Sequence, residues 1–168
     1  MDSLNQQFSN IYDQYIEKIY RFVYLKVSEQ EVAEDITSKV FTKGWEAFKD
    51  EAKEIKNPGA FLYQIARNAV IDHYRKNDKQ KTVPVSLTAE LADSKSSAHE
   101  KAILSADLKI VQSAIQKLDK ESQDIIIWHY LEEMPLGEIA ELLNRPAGTV
   151  RVMLHRGLKD LKDKIQEA

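Results

Sequence analysis

Apolar positions recur along most of this chain at three- and four-residue intervals, the period of an amphipathic helix. Over residues 4–27 the repeat is carried by Phe8, Ile11, Tyr12, Tyr15, Ile16, Ile19, Tyr20, Val23 and Val27. Ser28, with Glu31 three positions on, has the spacing of a capping box and predicts the start of a second helix. There Val32, Ile36, Val40, Phe41, Trp45 and Phe48 form the stripe expected to be buried. The charged stretch KDEAKEIKNPG, 49–59, breaks the repeat and predicts a loop. Asn57 suits a helix N-cap and Pro58 the first helical position, where no amide donor is needed. The third helix then runs to about Lys76 with Phe61, Leu62, Ile65, Ala66, Ala69 and Val70 inward.

From Asn77 to about Ala98 no period is sustained, and the mix of charge, Ser, Thr and Pro predicts a linker, with room for a short helix at 87–92. Order returns near His99, where Leu104, Leu108, Val111, Ile115 and Leu118 make a helical stripe. Asp119 is placed to cap a helix over 120–133 that buries Ile125, Ile126, Trp128 or His129, and Leu131. A short helix follows at 135–143, with Ile139, Ala140 and Leu143 inward, then a turn at 144–146 and a long helix at 147–165. Strand-like alternation is missing throughout. The expected fold is therefore all-α: two small helical domains, 1–77 and 99–168, joined by a flexible linker, 78–98. The second is a helix-turn-helix.

The last helix carries two stripes. Stepped at about 100° per residue, Leu154, Leu158 and Leu161 fall within about 80° of Val150, whereas Arg151, His155, Lys159 and Lys162 fall between about 100° and 180°. Val152 and Arg156 lie just beyond. One side packs; the other is basic, with a valine among the cations. Arg can read guanine bidentately in the major groove and a Val methyl can meet a thymine methyl, while Lys159 and Lys162, further from the helix start, suit phosphates. A solvated charged face is the default for a lone amphipathic helix. The short preceding helix and the Asn144 turn favour the DNA reading here.

Charge sharpens the picture. The net charge is −3, yet residues 145–164 hold six basic against two acidic residues, and residues 67–81 five against two. These are two basic islands in an acidic background, each suited to weak binding of DNA. No Cys is present, so disulfides and thiolate metal sites are excluded. No apolar run reaches the ~18 residues of a membrane span, and the N-terminus lacks a signal segment; a cytoplasmic protein is expected. Catalytic candidates are thin. His99-Glu100 lacks a second His at ligand spacing, Glu132-Glu133 falls at a helix end, and His73, His129 and His155 are far apart. We expect no enzyme, no catalytic or metal-binding residue and no cofactor.

The segment EIAELL…P-x-GTV-x-x-x-LHR, with its surroundings, resembles region four of bacterial sigma factors of the extracytoplasmic-function, sigma-70-like group. EVAEDITSKVFTKGWEAF is similar to the group's core-binding region two, and NPGAFLYQIARNAVIDHYRK to its promoter-melting segment. The resemblance spans nearly the whole chain, in order. It implies a dissociable subunit of RNA polymerase: region two docks on the clamp of the largest subunit and melts the minus-ten element. Region four binds the minus-35 element and rests on the flap of the second-largest subunit.

By position, the resemblance assigns polymerase binding to Glu34, Asp35, Ser38 and Lys39, with Phe41 as core packing. It assigns the minus-ten element to Lys53, Lys56, Asn57, Arg67, Asn68, Arg75 and Lys76. The minus-35 element goes to Arg145, Thr149, Arg151, Val152, His155, Arg156 and Lys159. Arg67 and Asp72 also suit a purely structural role. Tyr63, His73 and Tyr74 are candidate stacking surfaces for unpaired bases, against the alternative of packing on the first helix. An anti-sigma factor is an expected partner, and the free chain an expected monomer. The sequence departs from the group at Ser38-Lys39, often Gln-Glu, and at Pro135-Leu136-Gly137-Glu138, usually Ser-Tyr-Glu-Glu. It departs again at Val152-Met153, usually polar or basic, which implies an unusual minus-35 sequence. Competing readings are a stand-alone helix-turn-helix regulator, which would need a dimerisation or sensor domain, and an adaptor that binds polymerase without reading DNA.

Overall fold

The computed structural model describes residues 2–50, 54–79 and 109–167. Helices account for nearly all of them, and no strand occurs among them. The chain divides into two compact units, Met1–Ala89 and Glu90–Ala168. Residues 78 and 79, expected in the linker, instead continue the third helix. The rest of the predicted linker, the short helix at 87–92, His99, Leu104 and Leu108 lie outside the described residues.

The first unit is three helices packed pairwise: α1 (Asp2–Val27), α2 (Gln30–Phe48) and α3 (Pro58–Lys79). Its centre joins Ile19, Phe22 and Val23 of α1 to Ile36 and Val40 of α2 and Leu62, Ala66 and Val70 of α3. Aromatic pairs tie the helices together: Phe8 to Trp45 at 5.1 Å, Tyr12 to Phe41 at 4.9 Å and Phe22 to Tyr63 at 5.5 Å between ring centroids. Gly59 lets the start of α3 approach α1, because a Cβ there would collide with the Tyr15 ring and hydroxyl. Asn57 caps α3 as expected, its Oδ1 accepting the Ala60 amide at 3.1 Å.

Ser28 corrects the expected capping box. Its φ is +64°, a left-handed conformation, and its amide donates to the Tyr24 carbonyl at 2.8 Å. Ser28 therefore closes α1 by occupying the position after the last helical residue. The residue that precedes α2 is Glu29, which makes no side-chain cap. A capping box needs an extended backbone at its Ser, and the tight reversal between α1 and α2 denies it.

The second unit contains α4 (109–116), α5 (Lys120–Ile126), a π-helical continuation (Ile127–Leu131), α6 (Leu136–Leu143) and α7 (Ala147–Glu167). Asp119 caps α5 as expected, accepting the Ser122 amide at 2.8 Å. Gln123 is buried and donates to the carbonyls of Ile115 and Leu118, satisfying the end of α4.

The expectation of one regular helix over 120–133 needs correction. The backbone widens after Ile126: the Glu132 amide reaches back to Ile127 and the Met134 amide to Trp128. Such a turn inserts a residue and rotates everything beyond it. Trp128, one of the two residues expected inward, is buried at 1% exposure; Ile127 is buried as well, whereas Leu131, expected inward, is 45% exposed. Glu133, at φ +54°, ends the segment.

Candidate nucleic-acid and polymerase interfaces

In the second unit, α6 and α7 are held at a fixed angle by the turn between them. Asn144 is left-handed (φ 53°, ψ 49°), the Arg145 amide bonds Ala140 and the Asn144 amide bonds Glu141. These are the paired reverse bonds of a Schellman ending, and Asn tolerates that backbone better than most residues with a Cβ. Ile139, Ala140 and Leu142 of α6 are buried, with Leu143 only half-buried.

On α7, Val150, Leu154 and Gly157 face the core. Gly157 meets α5 closely, since an added Cβ would lie 3.3 Å from both Ile126 Cδ1 and Ser122 Cβ. Thr149, Arg151, Val152, His155, Arg156, Lys159 and Lys162 are all exposed. Ile165, at the end of the apolar repeat, is exposed as well. Arg145 stands apart from the helix: its guanidinium pairs with Glu121 of α5 at 3.0 Å. That contact links the turn to α5, with both side chains still partly exposed.

In the first unit, Asn68, Asp72, Arg75 and Lys76 are exposed on one side of α3, whereas Arg67 is half-buried on its flank. Lys56 is exposed beside the Asn57 cap, and Lys53 lies outside the described residues. Tyr63 is corrected from a stacking candidate to a core residue. It is 2% exposed and packs edge-on against Phe22 of α1. Tyr74 is half-buried and its hydroxyl donates to the Lys26 carbonyl of α1. Burial pushes its pKa up, with Glu29 adding to the rise. His73 is half-buried beside it, and burial lowers its pKa from the ordinary 6.5; Glu29 opposes the shift and Lys39 adds to it.

Along α2, Glu34, Asp35, Ser38 and Lys39 are all exposed. Lys39 Nζ lies 3.0 Å from Asp35 Oδ2, and both side chains are well hydrated. An exposed pair one turn apart contributes little to stability but half-cancels the charge offered to a partner. Two depressions flank this strip. An open groove of about 830 Å³ between α1 and α2 is lined by Tyr12, Tyr20, Glu34, Ser38, Phe41 and Trp45 among others. A cleft of about 490 Å³ between α2 and α3 holds Asp35, Lys39, Lys43, Asp72, His73 and Lys76.

Phe22, Lys26, Ile127 and Leu142 are buried although none is among the positions expected inward. Phe22, Ile127 and Leu142 sit beside residues already in the apolar repeat, so the period of the sequence could have included them. Lys26 had no such signal: it is 1% exposed with its ammonium 5.1 Å from the Phe22 ring centroid.

Residues 11–80 match the family described as Sigma-70 region 2, and residues 108–161 that described as Sigma-70, region 4. The chain is 31% identical over 172 residues to the ECF RNA polymerase sigma factor SigW of Bacillus subtilis (strain 168), covering 95% of this chain and 89% of SigW. This chain is an ECF sigma factor of the sigma-70 family. It is also 24% identical to the ECF RNA polymerase sigma factor BldN of Streptomyces coelicolor, over 92% of this chain and 58% of BldN. The fold of this sigma factor is similar to that of RpoE solved with the anti-sigma factor NepR from Bartonella quintana. The TM-score is 0.72 at 20% identity, covering 96% of this chain and 98% of that one. It is likewise similar to CnrH solved with the cytosolic domain of CnrY: TM-score 0.69, 18% identity, coverage 97% and 90%. As a sigma factor the chain serves transcription initiation and regulation. No helix among the described residues is long and apolar enough to cross a membrane.

Proposed function

We propose that this sigma factor binds bacterial RNA polymerase core through α2, opens the minus-ten element with α3 and the loop before it, and reads the minus-35 element with α7. The observation that carries the reading is the division of α7 into a packed side and an exposed side bearing Arg151, Val152, His155, Arg156 and Lys159. A helix held this way by its partner α6 can enter the major groove with its early turns toward base edges and its later lysines toward phosphates. Arg145, paired with Glu121, suits a backbone phosphate rather than a base.

At the minus-ten element, Lys56, Asn68, Arg75 and Lys76 supply exposed polar and cationic groups, joined by Lys53 and Asn57 from the preceding loop. Arg67 is better placed to hold α3 in the bundle, and Asp72 flanks the exposed strip. Opening each base step costs on the order of 1–2 kcal/mol. Bases turned out of the duplex recover part of that on aromatic or guanidinium surfaces, for which His73 and Arg75 are the candidates once Tyr63 is removed.

Each unit alone touches few phosphates and binds weakly. Polymerase core holds both at a fixed separation and makes the second contact intramolecular. Glu34, Asp35, Ser38 and Lys39 form the docking strip on the clamp of the largest subunit; the second unit rests on the flap of the second-largest. The Asp35–Lys39 pair makes that docking less dependent on one acidic charge. An anti-sigma factor that covers these faces is the expected regulator of a monomeric, cytoplasmic subunit that carries no catalytic group or cofactor. The test is transcription in vitro by core polymerase plus this chain on a randomised promoter library. A selected pair of elements supports the reading. Activity that survives Arg151→Ala with His155→Ala points to an adaptor, and specific binding without core to a stand-alone regulator.

A further inference from the structure

The exposed side of α7 carries one side chain that its cations do not explain. Val152 is 49% exposed. Its neighbours one turn away on the helix surface are Thr149, His155 and Arg156, all exposed. A single exposed valine is ordinary on a protein surface. The surroundings of this one are less so.

Side chains of an α-helix lean toward its N-terminus, so Val152 leans toward the position four residues earlier without covering it. That position is Gly148, exposed and without a side chain; even an added Cβ there would meet nothing within 4 Å. Val152 and the bare backbone of Gly148 therefore form a small open apolar step in the early turns of α7, with Arg151 and His155 to one side and Arg156 to the other. In the major groove the apolar group a base presents is the C5-methyl of a pyrimidine.

We propose that Val152, beside the open space left at Gly148, reads a pyrimidine C5-methyl group in the minus-35 element. The chain then distinguishes thymine from uracil, and 5-methylcytosine from cytosine, at one position. This rests on the reading that α7 enters the major groove of that element. Seating one methyl group against Val152 is worth about fourfold in affinity, from the transfer free energy of a single buried carbon.

The test uses holoenzyme reconstituted from core polymerase and the full chain, on the best duplex from the promoter selection. Each minus-35 thymine is replaced in turn by deoxyuridine, and each cytosine is compared with 5-methylcytosine. At one position wild-type holoenzyme should lose about fourfold on deoxyuridine, or gain as much on 5-methylcytosine, while Val152→Ala binds the methylated and unmethylated bases alike. A flat scan with wild type overturns the proposal, as does a methyl preference that persists unchanged in Val152→Ala. The two levels separate cleanly. A flat scan by a holoenzyme that still prefers its minus-35 sequence over a scrambled one removes the methyl contact alone. Failure to prefer that sequence at all removes the underlying reading, and the contact with it.

Discussion

Arg151 and Lys159 project from the exposed side of α7 about 12 Å apart along its axis, a separation of two turns that assigns them different work. Arg151 sits in the early turns, where base edges are within reach. Arg151→Ala is expected to weaken holoenzyme binding by about 1–3 kcal/mol, roughly 5- to 150-fold, and to relax the preference at one base pair. Lys159→Ala should weaken all sequences alike and lower the slope of log affinity against log salt by about one. Titration of binding against salt on matched and scrambled duplexes checks both. In the first unit, His73 has its pKa lowered by burial. The unfolded chain therefore takes up a proton more readily than the folded one. The stability that a neutral His73 provides is fully present above the ordinary 6.5 and is lost as pH falls through the lower folded value. The urea midpoint of the first unit, read from Trp45 fluorescence with Trp128 replaced by Phe, should fall as pH is lowered below about 6.5, and less steeply in His73→Gln.

Among the elements, the stretch from Lys120 to Leu131 departs furthest from the sequence pattern. A regular helix would place Leu131 inward; with the π-helical widening after Ile126, Leu131 is turned out and Ile127 is fully buried. Ile127→Ala should cost the second unit about 2–5 kcal/mol, through lost transfer energy and the cavity left behind. Leu131→Ser should stay within about 0.5 kcal/mol. Thermal unfolding of the two variants separates the widened backbone from a regular helix, which predicts the reverse order. The hydrophobic alternation of IIIWHYL does not reveal such a turn, because one inserted residue shifts the period without changing composition. The Schellman ending of α6 was readable, since Asn144 is one of the few residues that accept its backbone. The αL ending at Ser28 was not, since Ser followed by Glu at three residues suits a helix start equally well.

For the whole molecule, a net charge of −3 offsets the two basic strips. The free chain should then show no sequence-specific gel shift at concentrations where its holoenzyme with core polymerase shifts the same promoter, because the effective concentration supplied by core is missing. A specific shift by the chain alone would contradict this.

The repeat of apolar residues determined that the chain is helical and where most helices lie. It also placed the two basic islands, the caps at Asn57 and Asp119 and the turn at Asn144, because each depends on residues within a few positions of one another. Tertiary packing decided the rest. Tyr63 became core because Phe22 of α1 lies against it, Arg145 took Glu121 of α5 as an ion-pair partner, and Leu131 was turned to solvent while Ile127 was buried. Each outcome is set by a partner or a backbone adjustment that local periodicity cannot register.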